Sequence, residues 1–462
     1  MFGHRTRQMI RMAKLPLDGI RIIDSSYVFA GPYAAGLLAD LGAEVIKIEG
    51  PKRPDIVRGS AFSGMLPDDC GGEDPWNRAS AYNLLNRGKK SLVVDLKQEE
   101  GREILADLIK VSDVFIENFT PRVLRGWGLD YPNLQKIKPD LILVSNTGYG
   151  QAGPYAAYPA QATTQEATHG LAAVTGYRGG EPSKAGQSYV DFLAGWACVM
   201  SVLLGLRFRR RFGRGLWADV SMYQLGCYNL SEFVLDHITN GAENERIGNR
   251  HRQFAPQGCY RCAGDDSWCV LSVRDDEEWR ALCGVIGRPE LAVDKRFATE
   301  PARHANHNEI DEIISLWSAG VPKMDAMEQL QAAGVPAAAV LDGRDLHLDP
   351  HLKSRRFLEM QKFPEDRNIG ARRPIIGRPW KFSRMPLHVR GPGPMFGQHN
   401  REVLQDILGY GEARCEKLES TGVLADKPQS PVSAAEMSLD ERVELGRLAY
   451  WDRDYKKRLD IE

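Results

Sequence analysis

From residue 20 to residue 145 the chain repeats one pattern: a short aliphatic run, a turn, then a longer stretch with helical spacing. Segments 20–24, 44–49, 92–96, 114–117 and 141–145 read as strands, and 33–41 and 99–111 read as helices. Strands that alternate with helices in this way pair in parallel, and helices cover both faces of the sheet. The pattern therefore predicts an α/β fold. Such sheets bind ligands in loops at the carboxyl ends of their strands. A glycine-rich loop, Thr147-Gly148-Tyr149-Gly150-Gln151-Ala152-Gly153-Pro154, follows the last of these strands directly.

The longest near-continuous apolar run, 192–206, is too short to cross a bilayer comfortably and suits a buried core helix. Asp191 stands immediately before it. A carboxylate there sits at the positive end of the helix dipole, beside backbone donors with no helical partner, a setting that favours the anion. Asp191 is thus a candidate nucleophile, with a plain N-cap as the alternative. The basic run 207–211 reads as the solvated last turn of the same helix.

The first part of the chain, 15–225, reads as one large domain. A smaller α+β unit occupies 240–345, the chain returns to the large domain over 365–411, and 412–462 is a charged extension. The 60 basic and 61 acidic residues nearly cancel, so no global field draws the chain to nucleic acid or to a membrane surface. Arg5, Arg7, Arg11 and Lys14 carry no apolar segment of a secretory signal and read as a loose basic extension, with a short transit-like peptide as the alternative; reduced thiols in the cytoplasm are the expected setting. Among the eight cysteines, Cys259, Cys262 and Cys269 with His251 invite a zinc reading. Cys259 and Cys262 lie three apart in a strand-like segment and face opposite sides, so no metal site is assigned.

The first strand–helix–strand unit also has the outline of a dinucleotide fold, with Glu49 ending the second strand. Residues 25–33 carry only Gly31, however, so the phosphate-binding glycine pattern is missing and a nicotinamide dehydrogenase is rejected.

Taken in order, a longer series of motifs is recognisable. It comprises Leu17-Asp18-Gly19-Ile20, Ala30-Gly31-Pro32, Gly42-Ala43-Glu44-Val45-Ile46-Lys47-Ile48-Glu49, Asn86-Arg87-Gly88-Lys89-Lys90-Ser91 and Glu117-Asn118-Phe119. The glycine loop, Gly213-Arg214-Gly215, Gly334-Val335-Pro336, Asp349-Pro350 and Gly397-Gln398-His399 follow. Through these motifs the chain resembles the class III coenzyme A transferases, the formyl-CoA, carnitine and bile-acid CoA-transferase type. The resemblance implies a Rossmann-like large domain built from both chain ends, an inserted small domain and an interlocked homodimer. It places the nucleophile on Asp191 and coenzyme contacts on Val28, Phe29, Ala30, Val94, Lys97, Asn118 and Phe119, with Lys97 on a phosphate. Main-chain N–H groups of Gly148 and Gly150, or of Ala30, are candidate oxyanion donors. The implied partners are an acyl-CoA and a carboxylic acid, with no permanently bound cofactor.

Three departures qualify this expectation. The second active-site carboxylate of such enzymes falls on Ala162, and Glu166, one helical turn later, is either its substitute or an ordinary surface glutamate. Tyr27 and Phe29 replace the histidine and glutamine of the formyl-CoA branch, which suggests a larger or less polar acyl group. An acyl-CoA racemase of the same fold lacks its parts, because Ala162 also takes the place of that branch's aspartate and no histidine occurs between His4 and His169. The loss at Ala162 also admits a CoA-binding, weakly active subunit of a heteromeric transferase. Arg178, Lys184, Arg246 and Arg250 are cations available to an acceptor carboxylate.

Overall fold

A computed structural model describes residues 14–59, 66–69, 72–186, 189–365, 369–432 and 437–461. The chain divides into two compact units. One comprises 1–169, 186–229 and 350–462; the other comprises 170–185 and 230–349.

The first unit is built on a parallel sheet of β1 (Arg21–Ser25), β2 (Glu44–Glu49), β3 (Lys90–Val93), β4 (Val114–Glu117), β5 (Ile142–Thr147) and β6 (Trp217–Ser221), in the order β3-β2-β1-β4-β5-β6. Register aligns Ile23 with Ile46 on one side and with Phe115 on the other. Alternate side chains feed two cores, as the pleat requires. The helices around the sheet are α1 (Ala30–Asp40), α2 (Glu99–Lys110), α3 (Ala162–Thr168), α4 (Tyr189–Phe212) and α5 (Met222–Asn229). Ile23, Ile46, Leu92 and Phe115 pack with Ile104, Leu105, Leu108 and Ile109 of α2, and with Val403, Leu404 and Val423 from near the chain's end. Ile22, Val45, Val114, Ile116, Ile142 and Val144 meet Ala34, Ala35 and Leu38 of α1, and Cys198 and Val202 of α4.

Several boundaries differ from the sequence reading for physical reasons. Helix α1 begins at Ala30, because Pro32 falls in a first turn, where its missing N–H costs nothing. Strand β3 ends at Val93; the Val94 N–H still donates to the Glu49 carbonyl of β2 at 2.8 Å, and Val94 also bridges Leu424. Strand β6 was not foreseen, since its edge position leaves Trp217 40% exposed and breaks the apolar run that marks the others. Helix α4 is buried along one stripe only, at Val190, Ala194, Gly195, Cys198, Val202 and Gly205. Its 24 residues would suit a membrane span by length and composition alone, and Trp196, Met200, Leu203, Leu204 and Phe212 are exposed on it. At its end Arg209 pairs with Asp113 at 2.8 Å.

The second unit holds an antiparallel sheet of β7 (Gln257–Arg261), β8 (Trp268–Ser272) and β9 (Ala337–Ala339). Trp279, Leu282, Phe297, Ile310, Ile314 and Leu330 form its core. Cys262 and Cys269 are buried there, while Cys259 lies opposite Val270 on the other face of the hairpin.

Within the first unit, a hairpin of β10 (Leu358–Lys362) and β11 (Arg372–Ile376) precedes the C-terminal segment. That segment crosses the loop after β2, where Gln429 N–H donates to the Pro51 carbonyl at 2.8 Å and the Ser430 hydroxyl to that of Lys52 at 2.9 Å. Farther on, Tyr455, Lys456 and Arg373 converge on Asp68.

Candidate active site

The sheet order reverses between β1 and β4, and the crevice outside the carboxyl ends of these strands is where ligands enter such folds. The turn after β1 occupies this place, and its conformation is held from below. Val28 has φ +71°, a left-handed backbone that a β-branched residue rarely adopts. Its N–H donates to both oxygens of Asp55, at 3.1 and 3.3 Å. The Lys47 ammonium meets Asp55 at 2.9 Å and also donates to the Ser26 carbonyl. Tyr27 is fixed through its main chain: its N–H donates to Asn118 Oδ1 at 2.9 Å, and Asn118 Nδ2 donates back to its carbonyl at 2.7 Å.

This foundation is ionic and fully buried. Lys47, Asp55, Glu49, Arg58, Asp24 and Lys89 pair as Lys47–Asp55, Arg58–Glu49 and Lys89–Asp24, the last two at 2.7 Å, with all six side chains inaccessible. Burial pushes the Asp55 carboxyl up and the Glu49 charge adds to it, while Lys47 opposes both. Burial also works against the Lys47 ammonium, which the charges of Asp55, Asp24 and Glu49 keep above its ordinary range. Lys89 is pulled down by burial to about 8 despite Asp24. Left-handed strain persists only where the surroundings over-determine it, and such strain gathers at functional sites.

Beyond Val28 the chain enters α1 at Phe29, whose side chain provides no cap to the first turn. Helix α4 packs its start against this point. Val190 and Ala194 cluster with Ala30, and the Phe192 ring lies 5.1 Å from Tyr33 and 6.0 Å from Phe29. A Cβ at Gly195 would stand 2.7 Å from the Tyr33 ring and 3.2 Å from the Ala30 carbonyl, so only glycine permits the approach. Asp191 lies between these contacts, half-buried. It is the third residue of α4, inside the first turn and not at the cap, because the helix begins at Tyr189. Residues 187 and 188, read with it in the sequence, lie outside the described residues.

The glycine loop after β5 closes a third side. Tyr223 N–H donates to the Gly148 carbonyl at 2.8 Å, Gln151 N–H to Asp219 at 2.9 Å, and the Tyr149 hydroxyl meets Thr168 at 3.2 Å. Gly150 has φ +86° and is buried. Helix α3 brings Ala162 against the cluster of Ala30, Val190 and Ala194. Glu166 is 1% exposed, which overturns its reading as a surface glutamate: it lies on the inward face of α3 with Gln165, not on the solvent face.

The other expected coenzyme contacts are spread along the strand ends. Val94 is fully buried, with its side chain in the core, and Lys97 is exposed one turn before α2, its ammonium toward solvent. Asn118 uses its amide to hold Tyr27, and Phe119 lies 6.0 Å from the Tyr27 ring and 5.5 Å from that of Trp127. Of the cations considered for an acceptor acid, Arg246 donates to the Gly180 and Ala173 carbonyls, Arg250 pairs with Asp311 at 2.6 Å, and Arg178 faces Glu245 at 3.6 Å, all within the second unit; Lys184 is exposed.

Two features escaped the sequence reading. One is the ionic foundation, signalled by Lys47 and Glu49, which alternate with the apolar residues Val45, Ile46 and Ile48 in a buried stretch of β2. The other is Glu117 at the end of β4. Burial pushes its carboxyl up to about 7, with Ser145 and the Phe119 N–H holding it back. A buried carboxyl poised near neutrality beside a crevice marks a functional region. Among the described residues, no group of three or more His, Cys, Asp or Glu side chains is placed to hold a metal ion.

A sequence model described as CoA-transferase family III matches residues 17–400. A succinate–glutarate CoA-transferase of Agrobacterium fabrum is 34% identical over 396 residues, covering 85% of this chain and 96% of the relative. The beta subunit of a succinyl-CoA–L-malate CoA-transferase of Chloroflexus aurantiacus is 33% identical over 412 residues, covering 89% and 98%. The crystal structure of a CAIB/BAIF family protein from Brucella suis superposes with a TM-score of 0.76 at 29% identity, over 85% of this chain and all of that one.

Proposed function

Since the chain belongs to CoA-transferase family III, and so is a CoA-transferase that acts on an acyl-CoA and a carboxylate, we propose that Asp191 is its nucleophile and that the crevice between β1 and β4 receives the thioester. The observation that carries this reading is the placement of Asp191 in the first turn of α4, packed against the first turn of α1.

The Asp191 carboxylate attacks the thioester carbonyl. The carbon–sulfur bond breaks, CoA leaves as thiolate, and a mixed aspartyl anhydride remains. The thiolate attacks the aspartyl carbonyl, breaks the anhydride and releases the donor acid, leaving an aspartyl-CoA thioester. The acceptor carboxylate attacks that thioester, and the returning thiolate takes the new acyl group, restoring Asp191. No net proton is consumed. Each tetrahedral intermediate carries an oxyanion, for which N–H groups of Ala30 or of Gly148 and Gly150 are the proposed donors. Val28, Phe29 and Ala30 line the thioester end, Phe119 with Asn118 shapes the adjoining wall, and Val94 and Lys97 mark the nucleotide end, where Lys97 meets a phosphate. CoA enters only as a thioester substrate, without a resident cofactor.

The relatives, named for succinate and glutarate or for succinyl-CoA and L-malate, support short dicarboxylic acids as substrates. The exposed apolar face of α4 supports a homodimer of the interlocked, Rossmann-like type. Near-neutral composition and the free thiols among the described residues support a cytoplasmic setting. The beta-subunit relative favours one second reading, a heteromeric transferase. Turnover by the purified chain alone, undiminished relative to a co-purified complex, would exclude it.

Intact mass spectrometry after incubation with acyl-CoAs, with and without hydroxylamine, tests the nucleophile. A CoA or hydroxamate mass on the Asp191 peptide, absent in Asp191→Ala, is expected. Acyl-CoA binding without any adduct would refute the assignment.

A further inference from the structure

Beyond residue 400, where the match to the family's sequence model stops, the chain returns to the carboxyl ends of β2 and β3. Its attachment there is firm. Val423 and Leu424 are buried in the core that holds Val94 and Leu96. Asp95 N–H donates to the Val423 carbonyl at 2.8 Å, and Gln98 Nε2 donates to that of Gly422 at 3.4 Å. Asn400 ties the same stretch to the end of β3. Its Oδ1 accepts from Val93 N–H at 2.8 Å, and its Nδ2 donates to the Ala425 carbonyl at 2.9 Å.

A few residues later the segment meets the loop after β2. Residues 50–53 form a tight turn, closed by Arg53 N–H on the Gly50 carbonyl at 3.1 Å. Its two corner carbonyls, those of Pro51 and Lys52, accept from Gln429 N–H at 2.8 Å and from the Ser430 hydroxyl at 2.9 Å. The same loop holds the turn after β1. Gly50 N–H donates to the Tyr27 hydroxyl at 3.2 Å, and Asp55 accepts from Val28 N–H at 3.1 Å. One path of printed bonds and short chain thus joins residues 429–430 to Tyr27 and Val28, at the mouth of the crevice between β1 and β4.

We propose that residues 422–430 are a positioning clip for the coenzyme crevice: by holding the loop 50–55 they fix the turn 26–30, so that this C-terminal segment sets the affinity for acyl-CoA. The inference rests on the reading of that crevice as the place where the thioester enters. The clip grips main-chain carbonyls of the loop and so fixes its path whatever its side chains are. Gln429 is exposed and Ser430 half-buried, and water replaces such bonds at little cost to global stability. Their effect on binding is larger, because a left-handed Val28 persists only while its surroundings over-determine it, and a small displacement of a binding turn weakens binding steeply. Linkage is reciprocal: the factor by which the clip strengthens CoA binding is the factor by which bound CoA strengthens the clip.

The test starts with free CoA on the full-length enzyme, which binds without chemistry at Asp191. Added CoA is expected to slow hydrogen exchange both in peptides over 26–30 and in peptides over 425–432. Gln429→Pro with Ser430→Ala removes both donors and is expected to raise KM for acyl-CoA at least ~5-fold while kcat stays within ~2-fold. Gln429→Ala with Ser430→Thr keeps an N–H and a hydroxyl at these positions and is expected to match wild type. An unchanged KM in the first variant would overturn the clip, as would a lowered denaturation midpoint with no change in KM, which makes the contacts purely structural. Protection by CoA at 26–30 with none at 425–432 in wild type would overturn it too, by reciprocity, whether or not the variant folds. Absence of protection at 26–30 would instead remove the crevice reading on which the clip rests.

Discussion

Replacing Asp55 with alanine removes the acceptor that holds Val28 left-handed and leaves the Lys47 ammonium, fully inaccessible, with the Ser26 carbonyl but no carboxylate partner. Breaking a buried pair in this way costs about 3–5 kcal/mol. The turn then has no reason to keep φ +71° at Val28, and its relaxation returns about 1–2 kcal/mol. The net loss expected for Asp55→Ala is therefore about 1–4 kcal/mol. Val28→Gly in the wild-type background should be nearly neutral, because relief of the same ~1–2 kcal/mol offsets glycine's greater unfolded-state entropy and the lost side chain. In the Asp55→Ala background that relief has already occurred, so Val28→Gly shows its full cost. A double-mutant cycle on denaturant midpoints should accordingly return a coupling of about 1–2 kcal/mol. Asp55→Ala should also lower kcat/KM for acyl-CoA, since the N–H groups at the start of α1 move with the turn, and Val28→Gly should not restore it. Additivity within ~0.5 kcal/mol, or a loss below ~1 kcal/mol for Asp55→Ala, would refute the claim that this ion pair maintains the strain.

Glu117 titrates near 7 in the fold against about 4.3 unfolded, so the folded state holds its proton more tightly. Its contribution is full below about pH 4.3 and is lost as pH rises through 7, up to ~4 kcal/mol in all; Glu117→Gln should flatten that part of the stability–pH curve. Gly195→Ala forces a methyl into the Tyr33 ring and should cost about 1–3 kcal/mol while depressing transfer through displacement of Phe192, measurable by thermal melts and turnover. Asp68, held down to about 2 first by hydrogen bonds from Tyr455 and Arg373 against burial, is partly exposed, so Asp68→Asn should cost less than ~1 kcal/mol. It should nevertheless speed hydrogen exchange over 455–458, and unchanged exchange there would mean that Asp68 does not anchor the C-terminal segment.

The order of strands and helices was legible in the sequence because parallel strands, buried on both faces, are written as plain aliphatic runs. Strand β6 was not, because Trp217 to Ser221 lies at the sheet edge and keeps polar residues. Asp191 was legible as a carboxylate at a helix start, although its exact turn position was not. Val94 shows the limit of local reading. Its apolar character fits a strand, but its bridge to Leu424 depends on a segment 330 residues away. Glu166 shows the same limit, since no local rule tells a buried acid in a short polar helix from a solvated one.

Lys47 and Glu49 are instructive because local rules are broken there in a strand that otherwise obeys them. Charges in a buried strand are expensive, and an apolar replacement of a buried pair is often at least as stable. Stability therefore does not account for three ion pairs beneath one turn. What they supply is direction. An aliphatic core under residues 26–30 would tolerate several backbone paths, whereas Asp55 accepts from the N–H groups of Val28 and Val57, and Lys47 donates to one carbonyl, Ser26's. A left-handed valine is the path that the bonds at Val28 and Ser26 select.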